Sequence, residues 1–441
     1  SDQPAFELTH CTGEFLLSAR GVSANNVIIQ STRSYLELDG SLHGFNVFKS
    51  TGTGNLQHDS AQVKMKARNI DFSELRKFIP SLDFLHGSAF VDLAVDGLFG
   101  DLAIRRLNVQ AYRNTVNVSG TVRNLQEPGR LELELFAGAP SINPSDASRL
   151  LPGLGLPVYE RVGRAALFVE FAGTPLDFRT RTILKGGFGD CEVKGTVNLR
   201  GKEPAYDLSF TTARLDVASL TANPKLKTVL SSNGELKGEG ISLDGLNASL
   251  VIRIDSSTVR NILLDSARVS LTGISRRLEV TADVTSQTMS SAVSAHADLS
   301  DSDHPVFGGT LSLRGINIGR LLGDPRYESD ITLEGSVSGS GGTIDDLNTD
   351  TRLTLLPSTF QRHEVSSQEI RVFLDQNSPG NKRLTLQSSI MDLELKGKFD
   401  LDLAAAVLVH QTANLLETIK EHALPPESLR TKEPGLRIGH H

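Results

Sequence analysis

The side chains able to do chemistry are present in this chain, but they do not converge. His10, His43, His58, His86, His296, His304, His363, His410 and His422 are scattered, and none falls in an HExxH, the spacing that sets two imidazoles on one helix face for zinc. DLSDSDH brings Asp298, Asp301 and Asp303 together. A calcium loop of the EF type also needs a turn glycine and a distal glutamate; neither is in place, so a solvated hairpin tip is expected. GSVSGSGG at 335–342 lacks the Lys-Ser/Thr that would hold phosphate, and reads as strand and turn. Cys11 and Cys191 make no metal-type spacing, and no G-x-S-x-G elbow occurs. The expectation is a protein that is not an enzyme and carries no metal or cofactor.

Composition narrows the partners. The net charge of −7, without a cluster of five basic residues, excludes a nucleic-acid footprint. Aromatic residues are only 5% of the chain, with no Trp and 39 Gly, which favours many thin, regular strands over a core of large rings. The longest apolar run, LAAAVLV at 403–409, is far shorter than the roughly 20 residues of a spanning helix. No signal peptide is visible, and residues 439–441, GHH, read as the remnant of a histidine tag. An anchor is therefore expected outside this sequence.

What does organise the chain is alternation. RLELELF sets Leu131, Leu133 and Leu135 against Glu132 and Glu134; LNASLVIRID aligns Leu250, Ile252 and Ile254; LELKGKFDLDL runs in parity through Leu395, Phe399 and Leu401. Period-two alternation predicts antiparallel sheet with one apolar and one solvated face. The same parity selects Leu36, Leu38, Leu42, Val91, Leu93, Val95, Val116, Val118, Val122, Val193, Val197, Leu278, Val280, Leu311, Leu313, Ile331 and Leu333 as candidates for one apolar lining. An aliphatic-x-Gly-x-apolar unit recurs at Gly40, Gly120, Gly195 and Gly397. Glycine within the apolar row relieves crowding where a sheet bends toward that face, so the apolar face is expected to be concave.

Four short passages punctuate the strands: IDFSELRKFIP, INPSDASRLLP, LDVASLTANP and INIGRLLGDP. In each, an aliphatic residue precedes Asp71, Asn143, Asp216 or Asn317, and Pro80, Pro152, Pro224 or Pro325 follows. The Asp or Asn can cap the free N–H groups of a first helical turn, the aliphatic residue can staple onto it, and proline stops it. Asp71 and Glu74 have the spacing of a capping box. The caps stand 72, 73 and 101 residues apart, the mark of a repeat. The predicted organisation is a partial repeat over 1–68, repeats over 69–140 and 141–213, a longer one over 214–314 and another over 315–403. An amphipathic helix is expected over 404–426, as an end cap, a membrane-surface contact or a partner helix.

This cadence resembles the AsmA-like proteins, and within them the TamB-like branch. Residues 87–125 and 329–347, with short capped helices followed by G-x-hydrophobic-x-hydrophobic-x-G strands, carry the resemblance most clearly. The resemblance implies a mainly β fold, an elongated antiparallel sheet curled into a half-pipe with an apolar concave face. It implies a periplasmic protein anchored to the inner membrane through a segment outside this chain. It also implies a conduit for phospholipid acyl chains between the inner and outer membranes, and a barrel partner of the TamA type. Alternation itself leaves three closures open, namely barrel, sandwich and open groove. It also leaves open a scaffold that assists outer-membrane protein assembly by adding client strands to a free edge.

Overall fold

The computed structural model describes residues 7–398 except 45–58, 76–84, 151, 153–158, 160–161, 222, 224, 260–261, 323, 344–345, 379–380 and 390–391. The first run of strands is β1 (Leu8–Ser18), β2 (Gly21–Ser31), β3 (Tyr35–His43) and β4 (Ser60–Asp71), ending in α1 (Phe72–Leu75). The second is β5 (Ser88–Leu98), β6 (Asp101–Ala111), β7 (Asn114–Arg123) and β8 (Glu132–Ile142), ending in α2 (Ala147–Leu150). The third is β9 (Ala165–Thr174), β10 (Asp177–Gly186), β11 (Gly189–Asn198) and β12 (Ala205–Asp216), ending in α3 (Val217–Leu220). The fourth holds six strands: β13 (Thr228–Glu239), β14 (Asn247–Val259), β15 (Ile262–Ile274), β16 (Arg277–Thr285), β17 (Ser290–Asp298) and β18 (Val306–Ile316), ending in α4 (Ile318–Leu322). Then come β19 (Ser329–Ser340), β20 (Asn348–Leu355), the small hairpin β21 (Ser358–Phe360) and β22 (His363–Val365), β23 (Gln368–Ser378), β24 (Asn381–Ser388) and β25 (Asp392–Gly397).

Every strand pairs antiparallel with its chain neighbours, except that β20 pairs with β23 while the β21–β22 hairpin pairs onto β19. The result is one antiparallel meander that is not closed into a barrel. Among the described residues β1 pairs with β2 alone and β25 with β24 alone. At ~4.8 Å between neighbours the sheet extends about 100 Å across its strands.

Because the meander alternates direction, α1 to α4, which follow β4, β8, β12 and β18, all fall on one rim. Each helix is preceded by a break in register: Ala67/Ile70, Ala139/Ile142, Thr212/Leu215 and Leu313/Ile316. The aliphatic residue before each cap thus resumes pairing after a bulge, a recurrence that period-two reading cannot see because a bulge breaks the period. All four predicted caps form. The side-chain Oδ1 of Asp71 accepts from Ser73 N (2.8 Å), Asn143 from Ser145 N (3.3 Å), Asp216 from Ser219 N (3.1 Å) and Asn317 from Arg320 N (3.0 Å).

Two local expectations are corrected. Glu74 does not close a direct capping box on Asp71. Instead Asp71 N–H donates to Ser34 Oγ (3.0 Å), and the Ser34 hydroxyl donates to Glu74 Oε2 (2.5 Å), so the box is relayed through the preceding hairpin loop. Pro325 does not merely stop a helix; it is the first residue of a 3-10 turn, Pro325–Tyr327, capped by Asp324. Pro80, Pro224, Phe399, Leu401, the 404–426 helix and residues 439–441 lie outside the described residues.

Among the described residues the two buried hydrophobic clusters stand at the helix-bearing rim, while Val27, Ala61, Leu102, Ala248 and Leu374 are buried elsewhere in the sheet. Phe72, Ala89 and Ala111 form one buried cluster, with Leu85, Val91, Val109 and Leu150 against it. Val162, Ala165 and Phe188 form another, with Ile142, Leu184, Leu215 and Leu220. Buried polar groups within these two repeats form matched relays. Asn114 accepts from Asn143 N (2.5 Å) and donates to the buried Asp146 carboxylate (3.2 Å), repeating the Ser34–Glu74 relay one unit on.

Candidate functional site: the apolar face

Directly paired residues in an antiparallel ladder point to the same face, so pairing decides which side chains share a surface. Starting at Val27, successive partners are Leu38, Met65, Leu93, Leu107, Val118, Ala137, Val169, Thr182, Val193, Phe210, Gly234, Ile252, Val269, Ala282, Val293, Leu311, Gly335, Leu353 and Ile370. This ladder crosses from β2 to β23 without meeting a charged residue.

A second ladder, offset by about two residues, runs through Val63, Val95, Ile104, Gly120, Leu135, Phe171, Thr180, Gly195, Leu208, Leu236, Leu250, Leu271 and Val280. It continues through Ala295, Gly309, Val337, Thr351 and Val372 to Leu386 and Leu393. A third ladder holds Leu42, Val122, Leu133, Val197, Leu278 and Leu395. Nearer the helix rim stand Leu36, Val91 and Val116, then Ile254, and then Leu313, Leu333 and Ile331. Leu131 sits just ahead of β8. All 24 described candidates are half-buried, and none reaches the burial of the rim clusters.

Several floor residues were missed by local alternation, among them Phe15, Met65, Phe171, Phe178, Phe210 and Leu353. Phe171 and Phe178 stack with centroids 4.8 Å apart, a cross-strand contact between β9 and β10. Phe168 on the other face of β9 and the Thr and Arg residues of β10 blur the alternation; the β9–β10 register is what exposes them.

Glycines sit within the ladders, as the aliphatic-x-Gly-x-apolar unit suggested. Gly120 and Gly195 take φ of 143° and 151°, and a Cβ on either would collide with the carbonyl of the facing strand, at Glu134 and Asp207. The apolar face is concave between β16 and β20, where Leu278, Val293, Ala295, Phe307, Leu311 and Leu353 line a depression of about 580 Å³. The opposite face has its own hollow of about 530 Å³ between β8 and β12, lined by charged residues such as Glu134, Glu170, Arg179 and Arg181.

That opposite face is a field of cross-strand ion pairs: Arg106–Asp92 (3.1 Å), Arg181–Glu192 (2.8 Å) and Arg371–Asp350 (2.7 Å). The hydrogen bond from Arg181 holds the Glu192 carboxyl below the usual glutamate range. Arg371 does the same for Asp350. On the apolar side Cys191 pairs with Leu184 and Thr212, and burial pushes its thiol up, away from the reactive thiolate.

Among the described residues no three His, Cys, Asp or Glu side chains gather in a way that could hold a metal ion. No described helix is long and apolar enough to cross a membrane. The fold and this face define an open β-meander, charged on one side and apolar on the other. No family model, curated protein or solved structure matches the chain.

Proposed function

We propose that the protein is a non-catalytic lipid conduit in which acyl chains run along the apolar face, across the strands. The observation that carries this reading is the uncharged ladder from Val27 to Ile370, whose candidate lining residues are only partly buried. A sealed sandwich would bury such a row fully; part of this one, at Val293, Leu311 and Leu353, lines the depression between β16 and β20. Each CH₂ buried contributes about 0.8 kcal/mol, so part of one acyl chain suffices for binding. The working parts are rows of aliphatic side chains, and no proton or electron is moved. Glycerophospholipid as the cargo, the periplasm as the compartment, the inner-membrane anchor and a TamA-type barrel partner are proposals supported by the resemblance in cadence.

Mass spectrometry of lipid extracted from the purified chain tests the reading. Glycerophospholipid should co-purify, and Ile252→Asp should reduce it at least severalfold while the far-ultraviolet circular dichroism stays that of sheet. A chain that purifies lipid-free from a lipid-rich lysate would overturn the conduit.

One observation favours a second reading, scaffolding by strand addition. Every residue of β1 is exposed, including Phe15, Leu16 and Leu17. A strand with a single partner presents unpaired backbone groups to a client strand. Cross-linking of a β1 cysteine variant to client peptide, with no lipid in the groove, would select that reading over the conduit.

A further inference from the structure

The floor of the groove changes along the sheet. Through β12 to β15 the second ladder carries Leu208, Leu236, Leu250 and Leu271, but through β17 and β18 it carries Ala295 and Gly309, with Gly335 of β19 beside them on the first ladder. Loss of side-chain volume there makes the depression of about 580 Å³. The four leucines are half-buried, whereas Ala295 and Gly335 are exposed.

Register gives the outline of this pit. Val280 and Val337 flank the directly paired Ala295 and Gly309, three strand spacings apart, or about 14 Å. Leu311 and Phe307 stand at its two ends, four residues apart on β18, or about 13 Å. The pit is thus nearly as wide as it is long. An extended acyl chain is no wider than one strand spacing, so it would leave much of the pit empty and forfeit contacts there. A flat, rigid body covers such a floor and has little conformational freedom to lose.

The chemistry of the walls points the same way. No Asp, Glu, Lys or Arg lines the depression. His296 borders it but alternates with Ala295 and pairs with Gly308, so its ring stands on the charged face. Thr351, paired with Val337, brings a hydroxyl to the apolar side of the pit. Its Oγ1 lies 3.3 Å from Oγ1 of Thr349, and either hydroxyl can donate. An ionised head group in this pit would lose its water without gaining a partner, whereas a lone hydroxyl would gain one.

We propose that the depression between β16 and β20 is a binding site for a compact, uncharged ring lipid, a fused-ring alcohol of the sterol type. The ring body lies flat over Ala295, Gly309 and Gly335, against Phe307 and Leu311, and its hydroxyl meets Thr351 and Thr349. The site rests on the conduit reading, and it adds a second class of cargo that this stretch of the groove holds in preference to a phospholipid chain.

The test titrates the delipidated chain with two fluorescent probes, each read by its own emission. Dehydroergosterol is a fused-ring alcohol, and cis-parinaric acid is a straight chain. Both should bind the parent. Ala295→Phe fills the pit and should weaken dehydroergosterol at least tenfold, leaving cis-parinaric acid within twofold because the chain has the rest of the groove. Thr349→Val with Thr351→Val keeps the shape and removes the hydroxyls. It should weaken dehydroergosterol at least threefold and leave cis-parinaric acid unchanged. Should Ala295→Phe fail to fold, Ala295→Leu carries the same expectation.

If cis-parinaric acid binds and dehydroergosterol does not, the groove takes chains and the ring site is wrong. If dehydroergosterol binds the folded Ala295 variant within twofold of the parent, the ring lies elsewhere and the site is overturned. If the Ala295 variant weakens dehydroergosterol and the threonine variant does not, the hydroxyl contact is overturned. If the parent, folded by circular dichroism, binds neither probe, the site falls together with the conduit reading.

Discussion

The helix-bearing rim and the apolar face draw on the same stock of side chains and use them in opposite ways. At the rim, Phe72, Ala89, Val162 and Phe188 are less than a tenth exposed, because a bulge, a capped turn and the next hairpin fold over them. On the face, Leu133 and Ile252 stand in uninterrupted ladders, yet among the described residues nothing covers them fully. Apolar character therefore does not by itself make a core; a second layer must arrive, and among the described residues the buried clusters it makes stand along one edge. The polar groups follow suit. Glu74 and Asp146 are buried at the rim and hydrogen-bonded, whereas the carboxylates of the charged face lie in exposed pairs that contribute little to stability.

The largest effect that would sharpen this contrast is expected from Phe188→Ala. It empties a closed cluster and should cost about 3–5 kcal/mol, read from the denaturant midpoint. A cost below about 1 kcal/mol would mean that the rim is as open as the face. Next comes Glu74→Ala, which leaves the Ser31 and Ser34 hydroxyls without their acceptor and should cost about 2–3 kcal/mol. Hydrogen exchange at Asp71 N–H should rise with it, since that amide depends on the relay through Ser34.

Asp216→Ala removes a helix cap and should cost about 1 kcal/mol. Here pH offers an independent check. The Ser219 hydroxyl, followed by the backbone N–H groups of Ser219 and Ala218, holds the Asp216 carboxyl below the usual aspartate value. A depressed native pKa contributes stability above the unfolded value, and that stability is lost as pH falls through the native one. The parent and Asp216→Ala should therefore converge in stability on acidification and stay apart at neutral pH.

Smaller still is the change expected from Leu133→Asp, under about 1 kcal/mol, because the carboxylate can remain wet on an open face. Unfolding of Leu133→Asp at neutral pH would erase the difference between face and rim. Glu132→Leu, on the charged side of the same strand, should change neither stability nor lipid content measurably.

Local chemistry decided much of this protein before any tertiary contact. Alternation in RLELELF and LNASLVIRID determined which side chains share a face, because side-chain direction in a strand has period two. The four Asp or Asn caps were equally legible, since a cap bonds only to backbone two or three residues away. Tertiary structure alone decided the rest. The bulges before the caps, the Ser34–Glu74 and Asn114–Asp146 relays and the stack of Phe171 on Phe178 join residues whose proximity depends on strand register. The openness of the meander was likewise beyond the sequence. An apolar stripe says that burial is favourable, but not whether a second sheet, the same sheet or a ligand supplies the cover.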